Sequence, residues 1–228
     1  AGMYTILRQI VSQELGVAPE EVNLLQWTTD ETEFDSGIGG SRSTHVSGTA
    51  AYMAASQVRE RLVALASDLY GWSEEAIVLG SEGLSSPGKP TIPLADLVKR
   101  AGQPIVVTGH YNRTPHEVTS FVAQVAEVAI DPETGEVDLL RFTTAHDVGT
   151  IINPLAHQGQ IEGAFCQGLG FALMEEIQQE NARPTTVTFG DYKLPPAADI
   201  PELRTVLVQA EGGPGPYSSK AIGEHPVI

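Results

Sequence analysis

Phe121-Val-Ala-Gln-Val-Ala-Glu-Val-Ala-Ile130, Asp131-Pro-Glu-Thr-Gly-Glu136 and Val137-Asp-Leu-Leu-Arg-Phe-Thr-Thr-Ala-His146 carry the clearest β signal in the chain. Two runs rich in β-branched residues flank a turn, which predicts an antiparallel hairpin. The acids of the turn lack the ligand spacing of an EF-hand, so a solvated turn is expected there and not a calcium loop. Outward from the hairpin, further strands are expected at residues 22–28, 105–111, 185–189 and 203–210, the last alternating Leu203, Thr205, Leu207 and Gln209. Residues 76–92 read as a second, short hairpin.

Helical periodicity fills the remainder. Ile6, Leu7, Ile10 and Val11 predict a helix over residues 4–15, ended by Gly16. Val58, Leu62, Leu65 and Leu69 form the buried side of a long helix over residues 43–70 that Gly71 breaks. A short helix is expected at 93–100 and a long one at 155–177. Strands and long helices in this order predict an α+β fold with antiparallel sheets.

Composition excludes several partners. With 228 residues, 41% of them hydrophobic, the chain can bury one large or two small cores. A formal charge of −16 argues against nucleic acid and against anionic membrane surfaces. No apolar run reaches the roughly 18 residues of a membrane span and no export signal is visible, so a soluble, cytoplasmic protein is expected. The one cysteine, Cys166, can neither close an internal disulfide nor build a four-thiolate iron–sulfur site. It is expected to be a small buried side chain and not a nucleophile. His110, His116 and His146 lack the spacing of a metal pair and are expected to be structural.

Three glycine-rich segments stand out. Asp35-Ser-Gly-Ile-Gly-Gly-Ser-Arg-Ser-Thr44 brings unhindered N–H groups and short hydroxyls to a helix start, which suits an anion such as a phosphate. It is no P-loop, and Arg42 takes the place of the third glycine of a dinucleotide fingerprint. A flexible hairpin ahead of an ordinary serine cap accounts for the same residues. The helix at 155–177 carries Gly159, Gly163, Gly168 and Gly170, each costing about 0.5–1 kcal/mol relative to alanine. On it Gln160, Gly163, Gln167 and Gly170 form one stripe, while Ile161, Phe165, Leu169, Ala172 and Leu173 form the core-facing side. The stripe presents two carboxamides where glycine admits close approach; a crossing helix is the other reading. The third segment, Pro216-Tyr-Ser-Ser-Lys-Ala-Ile-Gly-Glu-His-Pro-Val-Ile228, places Glu224 on constrained backbone between Gly223 and Pro226. A glutamate in a loop is ordinarily a solvated charge.

Taken together, Asp147-Val-Gly, Ile152-Asn-Pro, Gly159-Gln-Ile-Glu-Gly-Ala-Phe-Cys-Gln-Gly-Leu-Gly170, Tyr192-Lys-Leu-Pro and Ser219-Lys-Ala-Ile-Gly-Glu-His-Pro226 resemble the molybdenum-binding subunit of the xanthine dehydrogenase and aldehyde oxidase family. The order and spacing match across the chain, which corresponds to the C-terminal portion of that subunit. The resemblance implies two intertwined subdomains, approximately 1–103 and 104–228. It implies that Gly39, Gly40, Ser41, Arg42 and Ser43 contact a molybdopterin cofactor, commonly in its cytosine dinucleotide form. Gln167 corresponds to the glutamine near the metal and pterin, Gly223 to the glycine beside the metal centre, and Glu224 to the base that activates a water-derived oxygen for attack on an aldehyde or N-heterocycle. Iron–sulfur and FAD centres are implied on partner subunits or missing domains, and a homo-oligomer is compatible. The family's Gly-Gln-Gly motif ahead of the first helix is here only Ala1-Gly2. The chain therefore reads as a piece of a longer polypeptide, expected to be inactive and without cofactor alone. A non-catalytic homologue serving as an assembly module is the other function class, and joint presence of Glu224, Gln167 and the glycine loop favours the enzyme.

Overall fold

The computed structural model describes residues 2–26, 28–32, 34–35, 37–111 and 119–227. They fall into two compact units: Gly2–His116 with Pro214–Tyr217, and Glu117–Gly213 with Ser218–Ile228. No described helix is long and apolar enough to cross a membrane.

In the unit Gly2–His116, α1 (Met3–Leu15) buries Ile6 and Ile10 and stops at Gly16 in the left-handed conformation. Gly16 is required twice over: φ is +65°, and a Cβ would come within 2.9 Å of the Gly80 backbone. The long second helix begins with a π-helical turn, Thr44–Gly48, and continues as α2 (Thr49–Tyr70). Its apolar side packs Leu62 and Ala66 onto Trp72, Ile77, Leu84 and Leu97, with Val58, Leu65 and Leu69 against that cluster. Leu84 comes from a hairpin of β1 (Val78–Gly80) and β2 (Gly83–Ser85), and its backbone exchanges two hydrogen bonds with Ile92. Leu97 comes from α3 (Leu94–Ala101).

Two strands expected here do not form. Residues 22–26 have no ladder partner among the described residues, and Trp27 lies outside them. Residues 105–111 alternate in burial as a strand should, yet they lie along α2 and not beside another strand. Arg61 Nη1 of α2 donates to the Val106 carbonyl at 2.7 Å. A Cβ at Gly109 would collide with the Ala50 carbonyl. The periodicity of this segment thus reports a helix surface, which accepts alternate side chains without supplying backbone partners.

The segment Pro214–Tyr217 belongs to this same unit. Tyr217 sits at φ +57°, an uncommon conformation for a residue with a side chain. Its hydroxyl donates to Glu14 Oε1 at 2.9 Å, and its ring stands edge-on to Tyr52 with centroids 5.4 Å apart. Burial, followed by the bond to Glu14 and that carboxylate's charge, pushes the Tyr217 phenol well above its ordinary range. Glu14 is itself buried and is also reached by Ser56 Oγ at 3.2 Å.

In the unit Glu117–Gly213, β3 (Val122–Ile130) and β4 (Val137–Asp147) pair antiparallel, with a bulge between Glu127 and Val128. Asp131 accepts from the N–H groups of Glu133 and Thr134 and so closes the exposed turn between them. Next, β7 (Glu202–Val208) joins β4 in parallel, so the sheet is mixed, not purely antiparallel. The parallel pairing follows from the long crossover through α4 (Pro154–Leu173). That helix lies on the sheet face bearing Phe142, Thr144 and His146, with Phe165 and Phe142 ring centroids 4.7 Å apart. Ile161, Ala164, Phe165, Leu169 and Gly170 are its buried residues. It ends four residues before the expected limit of 177, and Leu173 is exposed. The strand expected at 185–189 is absent; a two-residue ladder of β5 (Gln179–Glu180) with β6 (Arg183–Pro184) precedes it.

The Glu14 contact generates a stability test. Tyr217→Phe removes the hydroxyl and leaves a buried carboxylate short of a donor, so it should cost about 1–3 kcal/mol in urea unfolding of the chain. Loss below a few tenths of that would deny the contact its anchoring role.

Candidate functional site

The segment bearing Glu224 is built into the unit Glu117–Gly213 by four successive contacts. At its start, Gly149 and Ser219 form an antiparallel bridge, and Lys220 N donates to the Val148 carbonyl at 2.9 Å. Gly149 has φ +60°, and a Cβ there would collide with the Ser218 carbonyl. The second contact is an ion pair between Lys220 Nζ and Asp147 Oδ2, side chains that are only 7% and 8% exposed. Lys220 Nζ also donates to the Thr119 carbonyl at 3.3 Å. Burial on its own would raise the Asp147 carboxyl; the Lys220 hydrogen bond, the Gly149 N–H, the Lys220 charge and the Ala210 N–H outweigh it and hold the group below the usual carboxylate range.

Third, Ile222 enters an apolar cluster with Val148 and Ile161, backed by Ile151 and Leu207. Fourth, Val227 N donates to the Glu224 carbonyl at 3.2 Å, closing a 3₁₀ turn over His225–Val227 that packs on α4. Between these anchors Glu224 is exposed and Gly223 half-buried. The turn seats at Gly168, the residue following Gln167 in α4.

Position on α4 is settled by its N-terminus. Asn153 caps the helix by accepting from Ala156 N–H at 2.9 Å, and Pro154 occupies the first turn. Of the expected stripe, Gly163 and Gln167 are exposed, Gln160 is half-buried, and Gly170 is buried against Glu175 and Pro195. Ala172 and Leu173, expected on the core side, are exposed. Cys166 is half-buried, where full burial was expected. His146 is fully buried, its Nε2 2.7 Å from Thr144 Oγ1; burial and then the charge of His225 push its pKa down. His110 is exposed, and His116 lies outside the described residues.

The glycine loop belongs to the unit Gly2–His116. Gly40 and Ser41 both have positive φ, +59° and +55°. Nothing lies within 4 Å of where a Cβ would stand on Gly39 or Gly40. Arg42 Nη2 folds back to the Gly37 carbonyl at 2.9 Å, and Asp35 Oδ1 accepts from Gly37 N–H at 2.6 Å. Ser43 begins the helical turn, where the Arg42 carbonyl accepts from Val46 N–H at 2.8 Å. Ser41 Oγ is buried and has no hydrogen-bond partner among the described residues. Native interiors pair nearly all such atoms, so this hydroxyl has unused capacity to bind something polar. A cavity of about 370 Å³ lies along the loop, lined by Met3, Leu7, Asp35, Gly37, Arg42 and Tyr111 among others.

Residues 1–201 match the family model described as the molybdopterin cofactor-binding domain. The chain is 31% identical, over all of its length, to subunit gamma of the 6-hydroxypseudooxynicotine dehydrogenase complex of Paenarthrobacter nicotinovorans, 30% of which it covers. It is 28% identical, again over its whole length, to the putative xanthine dehydrogenase molybdenum-binding subunit XdhA of Escherichia coli strain K12, covering 32% of it. Among solved structures it superposes on the Cu,Mo-CO dehydrogenase in its carbon monoxide reduced state with a TM-score of 0.88 and 25% identity, over 99% of this chain and 30% of that one. The chain thus spans about a third of the length of the relatives it matches, and its α+β architecture of helices with mixed sheets is the fold of the molybdenum dehydrogenase.

The buried ion pair generates the second test. Lys220→Met leaves Asp147 buried without its counter-charge and should destabilise the chain by about 3 kcal/mol. Because the folded pKa of Asp147 lies below the unfolded value, its contribution is present above about pH 4 and is lost as pH falls through the folded value. Urea unfolding between pH 7 and pH 3 should therefore show the wild type losing its advantage over Lys220→Met at the acid end. A gap that does not change with pH would refute the pairing.

Proposed function

Because this chain belongs to the molybdopterin cofactor-binding family of xanthine dehydrogenase and aldehyde oxidase type, we propose that it is the base-bearing part of a molybdenum hydroxylase that oxidises an aldehyde or N-heterocycle. The observation that carries the reading is an exposed carboxylate, Glu224, on a turn seated against Gly168, the residue after Gln167 in sequence, and clamped on both sides.

The loop residues suit the cofactor's chemistry. Gly39 and Gly40 leave open space over their backbone, and the buried, unpartnered Ser41 Oγ can donate to or accept from a pterin edge or a phosphate. Together with Arg42 and Ser43 these residues would hold molybdopterin, which we take to be in the cytosine dinucleotide form. When bound, molybdenum supplies the two-electron oxidation and the delivery of a water-derived oxygen.

The remaining work falls to side chains of this chain. Glu224 accepts a proton at a carboxylate oxygen, which requires that it be ionised near neutral pH and aimed outward from its turn. Gln167 offers one carboxamide that both donates and accepts, so it can orient a polar oxygen without changing charge. Gly223 lets the backbone before Glu224 be approached closely. A single cysteine cannot carry the onward electrons. Those would leave through iron–sulfur and FAD centres on partner subunits or on other domains, and the 228 residues alone would neither retain the cofactor nor turn over.

Two measurements on the complete, molybdenum-loaded enzyme decide this. Glu224→Gln should lower kcat by about 10²- to 10⁴-fold with molybdenum content intact, the range for loss of a general base. Unchanged turnover with intact molybdenum would reassign the chain to an assembly role. Ser41→Ala should lower the molybdopterin content, while in the free chain it should leave stability unchanged or raised, since a buried unpaired hydroxyl is removed. Full cofactor retention would exclude the loop from binding.

A further inference from the structure

The four glycines of α4 have different surroundings. Nothing lies within 4 Å of a Cβ built on Gly159 or Gly163. Gly170 is filled by the Glu175 side chain and Pro195, groups of its own neighbourhood. Gly168 alone of the four receives the Glu224-bearing segment: a Cβ there would stand 2.8 Å from the Val227 carbonyl oxygen and 3.2 Å from the Val227 Cα. Both obstacles are backbone atoms of the turn, so a side chain at 168 could be admitted only by moving the turn itself.

The geometry points to Gly168 as a positioning residue: its bare Cα is the seat that sets how far the Glu224 carboxylate stands from Gln167 on the same helix. The seat works because the segment is fixed at its other end as well. Ile222 is held in the cluster of Val148 and Ile161, and Val227 is five residues further along. Glu224 therefore hangs between two fixed points, and a shift of Val227 by the few tenths of an ångström to one ångström that a methyl demands passes directly to Glu224. Glycine within a helix disfavours that helix by about 0.5–1 kcal/mol against alanine, so position 168 gives up helix stability for this contact. The consequence is unusual for a packing residue: Gly168→Ala should strengthen α4 while displacing the turn.

The inference rests on Glu224 being the base, and the experiment separates the two. In the complete, molybdenum-loaded enzyme, Gly168→Ala should lower kcat by about 10- to 100-fold, the scale of an ångström misplacement of a reacting group. KM, molybdenum content and the Mo(V) EPR signal after dithionite reduction should stay as in the wild type. Hydrogen exchange read on the same sample should be faster in the 219–228 peptide and unchanged or slower across 154–173, which reports that the helix is intact. Gly168→Val should extend both effects. Wild-type kcat in Gly168→Ala, or unchanged exchange in the 219–228 peptide, would overturn the positioning role. Should Glu224→Gln turn over normally, the assignment of the base fails, whereas the exchange result still decides whether Gly168 seats the turn.

Discussion

A buried ammonium–carboxylate pair is the constraint on which the Glu117–Gly213 unit depends. Removing Lys220 Nζ and Asp147 from water is costly, and their mutual attraction offsets it only when the remaining donors and acceptors are also satisfied. Here Asp147 takes N–H bonds from Gly149 and Ala210, and Lys220 also reaches the Thr119 carbonyl. Each of those partners lies on a different stretch of chain. The pair therefore joins the end of β4, the loop after β7, the approach to β3 and the C-terminal segment at one point. An apolar residue at either position could fill space but could not specify which backbone groups meet there. The bridge between Gly149 and Ser219, and the burial of Ile222, require the register that this point sets.

The unit Gly2–His116 solves a related problem by another route. Its buried carboxylate, Glu14, is paired among the described residues only with the half-exposed Arg59 guanidinium, at 3.7 Å. Hydroxyls of Tyr217 and Ser56 supply the donors instead. That choice holds Tyr217 at positive φ, a conformation that persists only where surrounding contacts over-determine it. Ser218 follows at φ +66°. Two consecutive strained residues thus stand directly ahead of the Ser219-Lys-Ala-Ile-Gly-Glu stretch, and the strain is met by contacts that each unit makes within itself.

Much of this was legible in the amino-acid order, and the failures share a cause. Residues 105–111 alternate as a β-strand does, and their burial alternates too, but period two says only that one face is covered. It does not say whether a strand or a helix covers it, and here α2 does. Residues 22–26 and 185–189 have strand-like composition without a neighbour to complete a ladder, so composition alone misled. Conversely, the hairpin of β3 and β4 carries its own partner and turn, and its expected and observed limits agree to within a residue. The parallel placement of β7 depends on the route through α4, which no local pattern encodes. For the proposed site, glycine-rich motifs point to Gln167 and Glu224 as candidates, but no local pattern points to the ion pair between Asp147 and Lys220. Both residues stood inside quoted motifs, and a basic residue in an otherwise apolar Ala-Ile-Gly context was the available signal.

The glycines of α4 show how far such marking goes. As a set they announce that the helix tolerates a loss of propensity for some gain, yet a count cannot say which of them gains. Helical spacing placed Gly163 and Gly170 on the same stripe as Gln167, but Gly170 is filled by its own chain and Gly163 faces open space. Gly168, off that stripe and adjacent to Gln167, is the one that meets Val227. Since successive helical residues point about 100° apart, the carboxamide and the seat of the carboxylate are directed to neighbouring but distinct sectors of the helix. A site that must bring a neutral donor–acceptor and an anion near one another gains from this arrangement: the two groups stay close without competing for one position, and a single rigid helix fixes both.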